Sequence, residues 1–400
     1  MSPSNGIDIQ LDQNGSLLFR MALPVENIFR YRSWESGFEL ERLEADKWET
    51  ESVDYGLPLL NLAASAEPWE PIQAFVAAIP SGVRIDVKPY VHCQSLMLTW
   101  LRKSSDAKQL FDSAPNLFWL LVGFINEEYL DDDEVIQLLR QPRKVILSRI
   151  LGVGICSTGL KILTKLTLDQ RDRFEYKAVI AALRKCGQFR AITRLQEIPV
   201  HILIGAAHYP WLTECRAFYR FKKGEKVTAR EFLHRLQCHV GFWNDALNVA
   251  AMIHIPDAQL ALRECRDFES IRRLHDRWTD RLNQEEIVAV DGKTRFPAPP
   301  LSAGDQIFPI ESFEDLQAEG RLMHHCVAGY YKQISRGRSY IYRILQPERA
   351  TIEIDLDADQ PKIRQIRLAY NKHPSSETRS VVYEWLNNEL EHLRVLRREA

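Results

Sequence analysis

Two histidines and a cysteine, His324-His325-Cys326, stand together in the last fifth of this 400-residue chain. A cysteine beside an imidazole is the pair that thiol nucleophiles use, because the imidazole can take the proton of the thiol. An amide further along the chain, Gln365 or Asn371, could orient the imidazole or bind an oxyanion. The sequence therefore offers one candidate catalytic pocket, made of His325, Cys326, Gln365 and Asn371.

The same cysteine also fits a structural role. If residues 321–335 form one helix, one face of it is apolar and would pack in the core, and Cys326 belongs to that face together with Met323, Val327, Tyr330 and Ile334. Free cysteine is often a small buried side chain, and neighbouring residues on a helix diverge by about 100°. His325 and Cys326 would then not be paired. Catalysis and core packing both remain open for Cys326 on the sequence alone.

A metal site is not indicated. The adjacent His324, His325 and Cys326 would diverge on a helix, so they could not bind one ion together. His234 and Cys238 have helical spacing, and His239 follows, but the sequence near them does not complete a set of four ligands. We expect neither a metal nor a cofactor.

A basic stretch with several tyrosines favours a different function. From Arg321 to Gln346 the chain has five arginines and lysines, no acidic residue and four tyrosines. Cations neutralise phosphates and aromatic rings stack on unpaired bases, so this mixture is typical of proteins that bind single-stranded DNA or RNA. An ordinary basic surface with the tyrosines in the core is the alternative. The candidate nucleic-acid-binding residues are Lys332, Arg336, Arg338, Tyr340, Tyr342, Arg343, Arg364 and Arg367.

The charge of the chain is sorted along its length. The formal net charge is −2, yet residues 1–90 have seven basic and fourteen acidic side chains, and residues 321–400 have fourteen basic and ten acidic ones. The acidic first segment would suit a basic protein partner. The basic last segment overlaps the tyrosine-containing stretch.

Several protein classes are disfavoured. We find no P-loop, GxGxxG, HExxH, GxSxG or kinase signature, which argues against the common nucleotide-driven motors, Rossmann enzymes, metalloproteases and serine hydrolases. The sequence also shows no secretory signal and no apolar run near the roughly 20 residues that a membrane-spanning helix needs. We therefore expect a cytoplasmic protein without membrane contact.

The elements predict an α+β protein in four parts. These are an acidic β-rich module (1–90), a helical domain (91–290), a proline-rich connector (291–310) and an α+β unit with a small antiparallel sheet and flanking helices (311–400). In the first module, Asn14-Gly15 predicts a hairpin turn, and strands are expected at 38–43 and 83–89. In the helical domain, residues 270–282 predict a basic amphipathic helix.

The last unit has a clear predicted order. Ser312 would start a helix that ends at Gly320, and residues 321–335 would form the next helix. Three strands follow at 339–345, 350–356 and 362–370, with a half-buried middle strand and a bulge near Arg364-Gln365. Residues 376–398 would form a closing helix.

The polar and aromatic residues of this unit resemble those of the PcfJ-like family. The resemblance covers about 305–372 and depends on a fixed order of His325-Cys-Val-Ala-Gly-Tyr330, Gly337, Tyr340-Ile341-Tyr342, Ala350-Thr351-Ile352-Glu353, Gln365 and Asn371. Members commonly have glycine at or just after the position of Ala328. Such proteins occur on conjugative plasmids and related mobile elements, so the resemblance implies that setting and a recurring core, but no reaction.

Three functions follow as hypotheses. The first is a PcfJ-like accessory protein of a mobile element that binds single-stranded nucleic acid through its C-terminal unit. The second is an enzyme whose pocket contains His325, Cys326, Gln365 and Asn371. The third is a protein-interaction scaffold that uses the acidic N-terminal module.

Overall fold

A computed structural model describes residues 7–21, 27–51, 56–65, 69–154, 157–221, 228–284, 295–358 and 360–399. The first residues of the predicted connector, 291–294, lie outside these ranges. The chain forms an α+β fold and divides into two units. The first unit contains residues 1–214 and 222–236, and the second contains residues 215–221 and 237–400.

The first unit opens with a five-stranded antiparallel sheet in sequence order. Its first hairpin turns at Gly15, whose φ of +73° is a conformation that glycine adopts without strain, so the predicted Asn-Gly turn is confirmed. The strands are β1 (Ile7–Leu11), β2 (Leu17–Met21), β3 (Asn27–Tyr31), β4 (Leu40–Glu44) and β5 (Lys47–Thr50).

Helices make up most of the rest of this unit, together with a short parallel pair, β6 (Leu166–Thr167) and β7 (Ile198–Pro199). The helices are α1 (Leu59–Leu62), α2 (Glu70–Ala77), α3 (Ser81–Val87), α4 (Gln94–Lys103), α5 (Ser105–Ser113), α6 (Pro115–Glu128), α7 (Asp132–Leu139), α8 (Arg143–Leu151), α9 (Ser157–Lys165), α10 (Arg173–Leu183) and α11 (Val200–His208). The predicted strand at 83–89 is wrong, because these residues lie in α3 and just after it. The alternation of Val83, Ile85 and Val87 was misleading: only Val87 is fully buried, and Ile85 is 71% exposed.

Acidic side chains of the first sheet are largely paired within the unit. Glu41 accepts from Arg30 at 2.5 Å, and Glu39 lies 2.5 Å from Lys103. Arg42 lies within 4 Å of both Glu44 and Glu51. These pairs reduce the anionic character that the sequence predicted for this module as a docking surface.

The second unit begins with helices and ends with a four-stranded antiparallel sheet ordered β11-β10-β9-β8. The predicted amphipathic helix at 270–282 is confirmed within α15. The elements are α12 (Arg216–Tyr219), α13 (Ala229–Met252, which continues from the first unit), α14 (Ala258–Glu264), α15 (Phe268–Gln284), β8 (Ile307–Pro309), α16 (Phe313–Met323), α17 (Tyr331–Ser335), β9 (Ser339–Ile344), β10 (Ala350–Asp355), β11 (Lys362–Arg367) and α18 (Ser376–Glu399).

The segment between Ser312 and Ser335 differs from the prediction. Helix α16 continues through Gly320 and ends at His324, which has a left-handed φ of 51°. Residues 326–330 form a 3₁₀ turn, so 321–335 is not one helix. A side chain at Gly320 would lie 2.9 Å from Asn283 Oδ1 and 3.2 Å from the His325 carbonyl oxygen. Glycine is therefore needed for close approach to His325, not for stopping the helix.

The central strand β10 is buried on both faces rather than half-buried. Ile352 and Ile354 belong to the core of the second unit, where Val382, Trp385 and Leu386 of α18 also lie. The other face of β10 presents Thr351, Glu353 and Asp355, all buried as well. The predicted bulge is confirmed, because Glu353 pairs with Gln365 while Ile354 pairs with Ile363, which leaves Arg364 as the extra residue.

Tyr340 and Tyr342 of β9 anchor the proline-rich connector. The Tyr342 hydroxyl donates to the Leu301 carbonyl at 2.9 Å and accepts from the Leu301 N–H at 3.0 Å. The Tyr340 hydroxyl donates to the Pro297 carbonyl at 3.1 Å. Leu301 is itself buried, so the connector packs into the core. Among the described residues, no helix has the length and apolar character needed to cross a membrane.

We expect Tyr342→Phe to lower the free energy of unfolding by about 1–3 kcal/mol, since it removes two buried hydrogen bonds and leaves the Leu301 backbone groups unpaired. Urea denaturation followed by circular dichroism measures this. The matched control is Tyr383→Phe in α18, whose ring is 52% exposed and whose loss should change stability by less than about 0.5 kcal/mol. Equal effects of the two substitutions would contradict the anchoring role.

Candidate functional site

A cavity of about 450 Å³ lies in the second unit. Its walls come from α13, α15, the 3₁₀ turn at 326–330, strands β9 to β11 and the loop after β11. Side chains from elements distant in sequence thus face one cavity that is partly open to solvent. The cavity has the size usual for small-molecule sites.

Three neighbouring strands supply the floor of the cavity. The register aligns Ile341 of β9 with Glu353 of β10, and Glu353 with Gln365 of β11. Thr351 is aligned with Arg367 in the same way. Because side chains alternate between the faces of a strand, these residues share one face, and all five line the cavity.

Glu353 is the buried centre of a hydrogen-bonded cluster. It is 3% exposed and accepts from Gln365 Nε2 at 2.8 Å and from Arg364 at 3.1 Å. The same Gln365 Nε2 donates to the Tyr330 hydroxyl at 2.9 Å. Burial raises the pKa of Glu353, with Arg364 and Gln365 opposing the shift. Burial also raises the pKa of Tyr330, and the Glu353 carboxylate raises it further, so the phenol stays protonated.

Asp245 is the second carboxyl group of the cavity. It is on α13 and has no hydrogen bond or ion pair within the described part of the chain. Desolvation raises its pKa above the usual aspartate value, while the charges of His275 and Arg367 act in the opposite direction. The Asp245 side chain is also exposed to solvent, so its carboxyl group is accessible for exchanging a proton with a ligand in the cavity.

His325 and Cys326 both line the cavity, but neither has the properties of a thiol catalyst. His325 is buried, and its Nε2 lies 2.6 Å from the Leu368 carbonyl oxygen. Burial lowers the pKa of the imidazole, so the ring is neutral and Nε2 is the donor. Burial raises the pKa of the Cys326 thiol to about 12, the opposite of what a nucleophilic cysteine requires.

All four residues of the candidate catalytic pocket line this one cavity. Asn371 reaches it from a tight turn after β11, closed by a bridge between Leu368 and Lys372, in which Tyr370 and Asn371 have φ values of 58° and 56°. The pocket that the sequence proposed is thus assembled. Its chemistry differs from the proposal, since the raised pKa of the Cys326 thiol does not suit a nucleophile, and two carboxyl groups, Asp245 and Glu353, line the same cavity.

Some of the candidate nucleic-acid-binding residues are exposed in the structure, and the others are buried, paired with acidic residues or part of the cavity. Tyr340 and Tyr342 are 2% and 0% exposed, so the stacking role proposed for them is wrong: their rings fill the core. Arg343 faces Asp315, and Arg364 pairs with Glu353 and Asp355. Arg367 lines the cavity. Lys332, Arg336 and Arg338 remain exposed.

The sequence reasoning missed Asp245, Tyr330, Thr351 and Glu353 as cavity residues. The last three belong to the segments that carry the PcfJ-like resemblance, and the alternation of Thr351 and Glu353 along a strand was a usable signal that they share a face. Asp245 had no such signal, because it lies about 80 residues before the motif. No group of three or more His, Cys, Asp or Glu side chains placed to hold a metal occurs among the described residues.

The family comparison covers the same part of the chain. Residues 242–383 match the family model of PcfJ-like proteins. Over these residues the second unit is similar to PcfJ-like proteins. The match extends beyond the resemblance at 305–372, and it includes both α15 and the part of α13 that contains Asp245. Searches of curated proteins and of solved structures found no match.

We expect Cys326 to be far less reactive toward iodoacetamide than Cys238, which is exposed. Since the pKa of Cys326 rises from 9.0 to about 12, its thiolate fraction at pH 8 should be lower by about 1,000-fold than that of an ordinary thiol. Mass spectrometry of tryptic peptides after timed alkylation measures both sites. Rapid labelling of Cys326 in the folded protein would restore the nucleophile hypothesis, and labelling after unfolding in urea is the control.

Proposed function

We propose that the PcfJ-like part of this chain is an enzyme that performs acid–base chemistry, with Asp245 as the group that transfers the proton. One observation supports this most directly. The unpaired carboxyl of Asp245 shares a cavity with the polar residues that carry the family resemblance, namely His325, Cys326, Tyr330, Thr351, Glu353, Gln365 and Asn371. Residues that served only core packing would have no reason to place their polar groups around one cavity.

The other polar residues would bind and orient the substrate. The two N–H groups of the Gln365 amide are used by Tyr330 and Glu353, which leaves its carbonyl oxygen as an acceptor. Glu353 therefore acts as a positioning residue that holds the Gln365 amide in one orientation. Neutral His325, held by the Leu368 carbonyl, has its Nδ1 as a further acceptor.

The mobile-element setting is supported by the family match alone. We propose that the protein acts in the cytoplasm as an accessory protein of such an element. In that role, its second unit performs the acid–base chemistry.

Asp245→Asn should lower turnover by at least about 100-fold, the usual contribution of a general acid or base. A mixture of small metabolites, nucleotides and short oligonucleotides, incubated with the intact chain and followed by mass spectrometry, supplies the assay. Asp305→Asn, an exposed aspartate of the same unit, is the control and should keep full activity. If wild type and Asp245→Asn convert the same compounds at the same rate, Asp245 has no catalytic role.

The stability of Asp245→Asn relative to wild type should increase as the pH rises. Because the pKa of Asp245 is raised above 3.8, its ionisation disfavours the folded state above that pH, and asparagine cannot ionise. The difference in unfolding free energy between variant and wild type should therefore be more favourable to the variant at pH 8 than at pH 4. A variant that loses relative stability toward pH 8 would show that the carboxylate is stabilising and would weaken the proposal.

Nucleic-acid binding is a second candidate function. The surface available for it is smaller than the one that the sequence predicted. Lys332, Arg336 and Arg338 are exposed around the turn from α17 to β9, and no ion pair involves them in the described residues. Three cations in six or seven residues could contact successive phosphates of a strand. This surface does not include the buried tyrosines.

If this surface binds single-stranded DNA or RNA, Arg336→Ala with Arg338→Ala should reduce the slope of log affinity against log salt by about 2, since each lost phosphate contact removes about 1. Fluorescence anisotropy with a labelled 20-nucleotide strand measures it. Arg143→Ala with Arg149→Ala, two exposed arginines of α8, is the matched control. An unchanged slope in the first pair, or an equal change in both pairs, would exclude this surface.

A further inference from the structure

Two arginines and a histidine from separate elements line the Asp245 cavity. They are Arg272 of α15, Arg367 of β11 and His373. Arg367 donates to His373 Nδ1 at 2.9 Å, and Arg272 has no hydrogen bond or ion pair among the described residues. Partial desolvation lowers the pKa of His373, and Arg367, Arg379 and Arg272 lower it further, which reports the positive potential at this point. Three acidic residues line the same cavity: Asp245, Glu353 and Glu269, the last one turn before Arg272 on α15.

The two arginines are suited to binding an anionic group of a ligand. The planar guanidinium donates in a fork that matches the oxygens of a phosphate. Arg367 uses one N–H on a neutral imidazole, so most of its donors remain available. Two arginines from different elements that converge on one opening are a common arrangement for holding a phosphate.

An aromatic wall adjoins the same opening. His239 of α13 stacks on Phe268 of α15 with ring centres 4.3 Å apart and planes at 19°. Phe242, one turn further along α13, also lines the cavity. Burial lowers the pKa of His239, and Arg272 lowers it further, so the ring is neutral. Flat, uncharged rings are the surfaces on which nucleobases stack.

The cavity also has polar groups that can read the edge of a base. The Gln365 carbonyl oxygen, the Asn371 amide and the Asp245 carboxyl line it and provide hydrogen-bond acceptors and donors. A base edge presents a matching pattern of donors and acceptors. The lining of the cavity therefore combines cationic, aromatic and polar groups.

We infer that this cavity binds a phosphorylated nucleoside, with Arg272 and Arg367 on the phosphate and the base between the aromatic wall and Gln365. The inference rests on the proposed function for the location of the site and names its substrate class. The same chemistry is found in a free nucleotide and in the end of a nucleic-acid strand. The experiment separates these two sources.

Isothermal titration calorimetry on the full chain tests the inference with AMP, GMP, CMP and UMP, the four parent nucleosides and inorganic phosphate. At least one nucleotide should bind, its nucleoside should bind at least about 10-fold more weakly, and inorganic phosphate should also bind more weakly. Arg272→Ala and Arg367→Ala should each weaken nucleotide binding by about 10- to 100-fold, as expected for a charge-assisted hydrogen bond. Arg273→Ala is the matched control, since it is exposed on the same helix and does not line the cavity.

A second arm uses single-stranded oligonucleotides with and without a 5′-phosphate. Binding that requires the 5′-phosphate and is lost in Arg272→Ala identifies a strand end as the source, and binding of mononucleotides alone identifies a free nucleotide. The inference is overturned if neither kind of probe binds, if phosphate binds as tightly as every nucleotide, or if binding survives in Arg272→Ala. Arg272 is exposed, so this variant should fold even where Arg367→Ala does not.

The two proposals fail separately. Nucleotide binding that persists in Asp245→Asn without any turnover by wild type would remove the acid–base enzyme and leave the nucleotide site. Turnover of a compound without phosphate, with no nucleotide binding, would do the reverse.

Discussion

The buried carboxylate of Glu353 is the constraint on which the second unit depends. Strand β10 is buried on both faces, so a glutamate at this position must be supplied with hydrogen bonds from within the protein. Gln365 is aligned with it by strand register, and Arg364 reaches it because a bulge adds one residue to β11. A one-residue slip of that strand would move Gln365 to the opposite face. The site and the sheet are therefore specified by the same pairing.

Polar residues on this face form a connected set. Thr351 donates to Glu319 of α16 at 2.7 Å, and Arg349 also pairs with Glu319. Glu319 precedes Gly320, which allows Asn283 of α15 to donate to the carbonyl oxygens of Gly320 and His325. The same network thus connects α15, α16 and the 3₁₀ turn to the sheet. Among the described residues Asp245 takes no part in these hydrogen bonds and has a raised pKa, and perturbed pKa values concentrate at functional sites.

Much of the fold followed from local patterns. The Asn14-Gly15 turn, the amphipathic α15, the antiparallel C-terminal strands and the bulge at Arg364 were each predicted from spacing, because each depends on residues near one another in sequence. The errors have a common cause. The apolar residues of 83–89 alternate as in a strand, and those of 321–335 have the spacing of a helix. In the folded protein both segments adopt a conformation other than the one that the local pattern favours. The close approach of Asn283 to Gly320, about 37 residues apart, has no local signature.

The sequence by itself determined four members of the candidate site: His325, Cys326, Gln365 and Asn371 were chosen from residue type and order, and they do meet in one cavity. Only the tertiary structure decided what chemistry they can perform. Reactivity depends on burial and on neighbours from distant segments, which raise the pKa of Cys326 and lower that of His325. The same packing removed Tyr340 and Tyr342 from the surface and brought Asp245, from another helix, to the motif. Residue types are local properties of a chain, whereas desolvation and charge proximity exist only after it has folded.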